Sequence, residues 1–172
     1  MSAEQRIVDL SNRLKEEPGY YAPRLEPEQL EARFRERRVV TRTENGAYEA
    51  FAALWPTLDS RLLELGTVWV GQGLRGNGMR DQIMAEAVRL APQGTSLFLI
   101  TSAPSIVETA KSLGFHIVLF ASSDELYCWG RTIGFPEDRK PPEGAVLSNV
   151  ADAIRTGRPT LLRTLLVRSV RS

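Results

Sequence analysis

Two features of the sequence bring together residue types that chemistry can use. The first is the run VGQGLRGNGMR at residues 70–80, with four glycines between positions 71 and 78. Glycine permits positive φ and close backbone approach, so successive N–H groups can converge on one anion, helped by the positive end of a following helix. The helix dipole alone supplies about 0.3–1 kcal/mol at an exposed site, so several aligned N–H donors must supply the rest. A phosphate-sized anion suits this pattern; a tight strand-to-helix turn without a ligand is the structural alternative. The second feature is Glu64, on the apolar strand that runs into the glycines. Strict alternation places Glu64, Gly66, Val68 and Val70 on one face, where a carboxylate could serve as a general base. A solvated carboxylate at a strand start is the competing reading.

Gly71, Gly73 and Gly76 also satisfy the dinucleotide pattern G-x-G-x-x-G. That motif needs an acidic residue at the end of the next strand to hold a ribose, and this strand ends in Ile100-Thr101-Ser102. Other residues attract attention for less reason. The one histidine, His116, has no nearby cysteine or aspartate that would make a metal site or triad, so no metal is expected. Cys128, between Tyr127 and Trp129, reads as a small hydrophobe in an apolar strand. Arg33, Arg35, Arg37, Arg38 and Arg42 form a basic cluster that could attract an acidic acceptor. Their interleaving with Glu31 and Glu36 fits a solvated helix face as well.

The elements that must position these residues follow from periodicity. Ile7, Leu10 and Leu14 predict a helix over residues 4–17, stopped by Pro18-Gly19; Leu30 and Phe34 predict a second over 28–38. Residues 39–43 and 47–54 read as a hairpin around Glu44-Asn45-Gly46. A strand over 62–70, a helix over 79–90 with Ile83, Met84, Ala87 and Leu90 on one face, and a buried strand over 96–100 come next. A short helix over 104–113 is followed by strands over 115–120 and 125–131. The tail reads as a linker over 136–144, a helix over 148–156 and a last strand or helix over 160–170.

Composition sets the class. The chain has 172 residues, 42% of them hydrophobic and 25% charged, which is enough for one core. A net charge of +1 gives no global field for nucleic acid or an anionic membrane, and neither is expected as a partner. No apolar run approaches the roughly 20 residues that span a bilayer. With a single cysteine and no signal-peptide pattern, a reducing cytoplasm is expected. In the tail, Arg155, Arg158, Arg163, Arg168 and Arg171 alternate with leucines, an amphipathic pattern suited to packing on a sheet or on a second copy of the chain as a homodimer.

At Val70, Arg75, Gly76 and Gly78 the chain resembles the coenzyme A loop of the GNAT N-acetyltransferase superfamily, departing from it at Gln72, Leu74 and Arg80. A second match, Leu113-Gly114-Phe115, follows a strand and short helix in the same order, so the resemblance covers about residues 62–120. It implies a single α/β (α+β) domain over residues 1–172: a mixed, mostly antiparallel sheet of six to seven strands with a central splay, about four flanking helices and a C-terminal helix. Residues 1–60 would then form the acceptor side, 61–120 the coenzyme-binding core, and 121–172 the closing strands and helix. The function implied is an N-acyltransferase taking acetyl-CoA or another acyl-CoA as co-substrate and a small-molecule or peptide amine as acceptor. Backbone at Trp69 and Val70 would meet the acyl carbonyl and pantetheine, and backbone at Arg75, Gly76, Asn77, Gly78, Met79 and Arg80 the diphosphate. The resembled family's usual acid, a tyrosine, falls on Ala110, and its frequent asparagine falls on Ala103. Tyr127, Ser105, Ser112 or water are the replacements, and a non-catalytic acyl-CoA-binding or regulatory module is the alternative function.

Overall fold

Ser2 opens the first helix by accepting the Gln5 amide at 3.1 Å, so one of the orphan donors of helix α1 (Ala3–Glu16) is satisfied locally. The structure, a computed structural model, describes residues 2–17, 20–101, 103–118, 123–136 and 164–169. It divides into two compact units: Met1–Trp55 with Leu65–Ala91, and Pro56–Glu64 with Pro92–Ser172.

In the first unit α1 buries Ile7, Leu10 and Leu14, the stripe expected from their spacing. Helix α2 (Pro27–Arg35) is shorter than expected because Arg37 turns left-handed at φ 55° and ends it. Strands β1 (Val39–Glu44) and β2 (Ala47–Pro56) pair antiparallel, and the turn between them takes positive φ at Asn45 and Gly46, the chemistry that these residues predicted. Ala50, Ala52 and Ala53, poor strand formers, are all fully buried, because small side chains let β2 be covered on both faces. Strand β3 (Leu62–Val70) adjoins β2, and helix α3 (Met79–Leu90) follows with the bounds expected for it. Its apolar face is Ile83, Met84, Ala87 and Val88; Leu90, expected there, is exposed. The core gathers Leu10, Leu14, Leu30, Phe51, Trp55 and Trp69, and each such side chain contributes roughly 1.5–3 kcal/mol on burial. An ion pair between Arg42 and Glu86 fastens β1 to α3 and, chiefly through its hydrogen bond, holds the Glu86 carboxyl below the usual carboxylate range.

In the second unit β3 begins a sheet ordered β3, β4 (Ser96–Thr101), β6 (Thr164–Ser169), β5 (His116–Val118). Its β3–β4 ladder is parallel and consists of Leu62 with Ser96, Leu63 with Leu97 and Glu64 with Phe98; the β4–β6 and β5–β6 ladders are antiparallel. Helix α4 (Pro104–Ser112) carries its proline in the first turn, as expected. The fold is thus a mixed α/β arrangement with a mixed sheet. Among the described residues the first unit holds three strands and the second four, with β3 counted in both, so neither alone reaches the expected six to seven.

One element corrects the sequence reading outright. Residues 125–131 are not a strand but part of helix α5 (Ser123–Thr132). Leu126, Trp129, Gly130 and Ile133 recur at helical spacing, and Trp129 meets Phe98 edge-on at 5.2 Å while Leu126 and Ile133 are buried. The helix ends where Gly134 turns to φ 90° and the Phe135 amide donates to the Gly130 carbonyl at 2.9 Å. The expected linker beyond residue 136 and the helix over 148–156 lie outside the described residues, as do Arg155, Arg158, Arg163 and Arg171. The end of the tail is a strand, β6, where strand and helix were both open.

Gly134→Ala should lower unfolding stability by about 1–2 kcal/mol, the cost of a left-handed non-glycine residue, with Leu58 shifting to admit the new Cβ. Denaturant unfolding with an unchanged midpoint would show that this turn is not fixed as described.

Candidate functional site

Strand β3 does not hold its alternation to the end. Thr67 stands at φ 54°, a left-handed conformation that a β-branched residue adopts only under constraint, at a cost of order 1–3 kcal/mol. The Trp55 indole N–H donates to its hydroxyl at 3.2 Å. Glu64, Gly66, Val68 and Val70 therefore do not share one continuous face, and the single-face expectation fails at Thr67.

Beyond Val70 the glycines divide by purpose. Gly71 has an ordinary φ of −59° but no room for a side chain, since a Cβ would lie 2.3 Å from the Glu49 Oε2; its amide donates to the Glu49 carbonyl at 2.8 Å. A short 3-10 turn (Gln72–Leu74) then engages the Leu74 and Arg75 amides with the Gly71 and Gln72 carbonyls. Left-handed geometry appears only at Gly76, φ 84°, and at Gly78, φ 70°, the N-cap of α3. Among the described residues the amides of Gly76, Asn77, Gly78 and Met79 have no acceptor, and the first three residues are exposed. Arg75, expected to lend its amide to the cradle, spends it on Gln72, which narrows the cradle to the residues that follow. The dinucleotide pattern places its tight turn at Gly71 and Gly73, and neither takes positive φ.

Beside this loop, within the same unit, lies a cavity of about 480 Å³. Arg13, Glu16 and Glu17 from the end of α1 form one wall; Glu49 and Trp69 form another, and Gln72, Gly73 and Arg75 close it. Arg13 donates to the Tyr48 carbonyl at 2.7 Å and to Glu49 at 2.8 Å, and lies 4.8 Å from the centre of the Trp69 ring. Its hydrogen bond to Glu49 raises its affinity for its proton above the usual guanidinium value. Arg75 donates through Nε to the Val70 carbonyl at 2.9 Å and pairs with Glu17, which also accepts the Trp69 indole at 3.3 Å. Tyr20 donates its hydroxyl to the Val68 carbonyl at 2.6 Å. Burial, with the field of Glu17 adding to it and Arg75 opposing, pushes that phenol up to about 12.

The other expected residues fare unequally. Glu64 is 3% exposed, so it is no solvated carboxylate; it sits in the β3–β4 ladder of the second unit. Tyr127, expected on a strand, lies in α5. Cys128 is exposed on the same helix, not buried in a strand. Ala110 is fully buried and its carbonyl accepts the Phe115 amide at 3.0 Å. His116 begins β5 as expected. The basic cluster is largely consumed: Arg33 and Arg38 pair with Glu36, Arg35 with Glu31 and Arg42 with Glu86. Among the described residues no group of His, Cys, Asp or Glu could hold a metal ion. Sequence reading missed Tyr20, Glu17 and Glu49, whose only local marks are a tyrosine after Pro18-Gly19 and ordinary acidic positions.

The raised Tyr20 pKa has a stability consequence. An unfolded tyrosine releases its proton near 10; the folded phenol holds it to about 12. The contribution is fully present below about pH 10 and is lost as pH rises through the folded value. Ultraviolet titration of the phenolates should show a component near 12 that Tyr20→Phe removes; a wild-type curve with every tyrosine titrating near 10 would contradict the burial.

No protein-family model and no curated protein matches the chain. Solved structures do, across nearly its whole length. The protein yncA from Salmonella typhimurium, solved with its cofactor acetyl-CoA, superposes with a TM-score of 0.61 at 12% identity, covering 99% of this chain and 92% of that one. Ribosomal-protein-alanine N-acetyltransferase from Brucella melitensis gives 0.58 at 16% identity, covering 96% and 94%. An acetyltransferase of the GNAT family from Staphylococcus aureus gives 0.55 at 12% identity, covering 98% and 93%. The fold of this chain is that of the GNAT acetyltransferases.

Proposed function

We propose that the chain is an N-acyltransferase that binds the diphosphate of acetyl-CoA, or another acyl-CoA, on the amides of Gly76, Asn77, Gly78 and Met79. The observation that carries this reading is the run of four amides that have no partner among the described residues, at the start of α3, after a strand, in a fold shared with a protein solved with acetyl-CoA. The amides and the α3 dipole supply the donors. The thioester would lie along β3 near Trp69 and Val70. An amine adds to the acyl carbon, the carbon–sulfur bond breaks, the thiolate takes a proton and the amine gives one up. Orientation supplies much of the rate, because holding both reactants replaces a bimolecular encounter. Glu64, buried in the β3–β4 ladder, is the proposed base. Tyr127 and water remain the proposed acids. The acceptor is an amine on a small molecule or a peptide, and the protein works in the cytoplasm.

A second reading has one observation in its favour. Ala110 is fully buried where the family's acid would stand, which suits a module that binds acyl-CoA without turning it over. Thiol release measured over a broad amine panel separates the two, since steady turnover eliminates binding alone.

Calorimetry with acetyl-CoA should show saturable binding. Asn77→Glu, at an exposed position, should weaken it about tenfold or more by placing a like charge against the diphosphate. Unchanged affinity in that variant, or tighter binding of NAD than of acetyl-CoA, would overturn the proposal.

A further inference from the structure

Past Thr67 the backbone groups of β3 face two sides, and the sides are used differently. Gly71 turns its amide toward β2, where it meets the Glu49 carbonyl at 2.8 Å. In extended backbone neighbouring residues turn their N–H and C=O groups to opposite sides, so Val70 and Val68 face away from β2. The hydrogen bonds agree: the Val68 carbonyl accepts the Tyr20 hydroxyl at 2.6 Å, and the Val70 carbonyl accepts the Arg75 Nε at 2.9 Å. Both acceptors on this stretch of the edge are thus bonded to side chains from outside the strand. Along the edge, the Val70 N–H lies between them.

These two bonds change what the edge offers. A bare carbonyl on each side of an N–H repels an incoming carbonyl oxygen; a hydrogen bond to it weakens that repulsion and polarises the neighbouring peptide groups. The Tyr20 phenol, pushed up to about 12, keeps its proton and so remains a donor at neutral pH. Its contact also falls where the strand needs one. Thr67 is left-handed immediately before Val68, so regular strand geometry alone does not set the direction of the Val68 carbonyl.

Resting on the acyltransferase reading, we propose that Tyr20 and Arg75 are positioning residues: by capping the carbonyls of Val68 and Val70 they leave the Val70 N–H as the group that this edge presents to the thioester carbonyl. The Trp69 N–H turns toward β2 by the same alternation and takes no part. As the amine nitrogen bonds to the acyl carbon, the carbonyl π pair moves onto the oxygen; its return breaks the carbon–sulfur bond and the thiolate leaves to be protonated. The oxygen carries most charge between those two events, so a donor edge with capped acceptors stabilises the addition more than the bound thioester. Both side chains act through the backbone and not on the reacting atoms.

NMR of acetyl-CoA labelled with carbon-13 at its carbonyl, at saturating coenzyme, tests this without any acceptor. The wild-type chain should move the carbonyl resonance downfield from its free position. Tyr20→Phe keeps the ring and removes only the hydroxyl; it should lose most of that displacement with acetyl-CoA affinity unchanged, and Arg75→Met should lose it from the other side of Val70. Phe34→Leu, which thins the packing against Tyr48 and Phe51, should lower the melting temperature and leave the resonance in place. A resonance unmoved by Tyr20→Phe, or moved as far by Phe34→Leu, overturns the assignment. Acetyl-CoA that binds wild type with its carbonyl at the free position overturns it too, while the coenzyme site stands. A wild-type chain that does not bind acetyl-CoA sinks the acyltransferase reading and this assignment with it.

Discussion

Positive φ at Gly76 and Gly78 is the constraint on which the rest of the site depends. The backbone leaves β3, makes one 3-10 turn and opens α3 at Met79 through left-handed residues at 76 and 78, and the amides of residues 76–79 have no acceptor among the described residues. Any side chain at either glycine would add about 1–2 kcal/mol of backbone strain. The segment is also anchored on its strand side. Gly71 is locked against Glu49, and the Arg75 side chain ties the turn to Val70 and Glu17. A loop held in this way has little conformational entropy left to lose on binding a ligand.

Charge is distributed to match. The loop offers backbone donors at a helix N-terminus, while the cavity beside it offers carboxylates. Arg75 stands between the two, with its amide turned into the 3-10 turn and its guanidinium turned to Glu17. Backbone donors and carboxylates thus occupy neighbouring surfaces without competing for the same groups. The Arg13–Glu49 pair, partly shielded against the Trp69 ring, keeps the wall between them ordered.

The elements carrying this machinery were legible where local pattern and burial agree. The strand over 62–70 and the helix over 79–90 emerge from sequence with the bounds the structure gives them, since an apolar run and a clean helical stripe flank the glycines. Helix α5 was not legible. Tyr127, Cys128 and Trp129 together favour a strand, and the stripe that overrides them runs on to Ile133, past the apparent end of the segment. Thr67 was opaque for a different reason: no local signal marks a β-branched residue held left-handed by its surroundings. The glycine loop could be read as an anion site, but not which amides were spent internally. The cavity could not be read at all, because Arg13 meets Glu49 and Glu17 meets Arg75 across separations of 36 and 58 residues.

Backbone amide NMR on titration with coenzyme A tests the central interaction most directly, because it reports each N–H separately. The amides of Gly76, Asn77, Gly78 and Met79 should show the largest downfield proton shifts, while those of Gly71, Leu74 and Arg75, already bonded within the chain, move little. Saturable shifts confined to other segments, with residues 76–79 unmoved, would mean that the diphosphate is not held there.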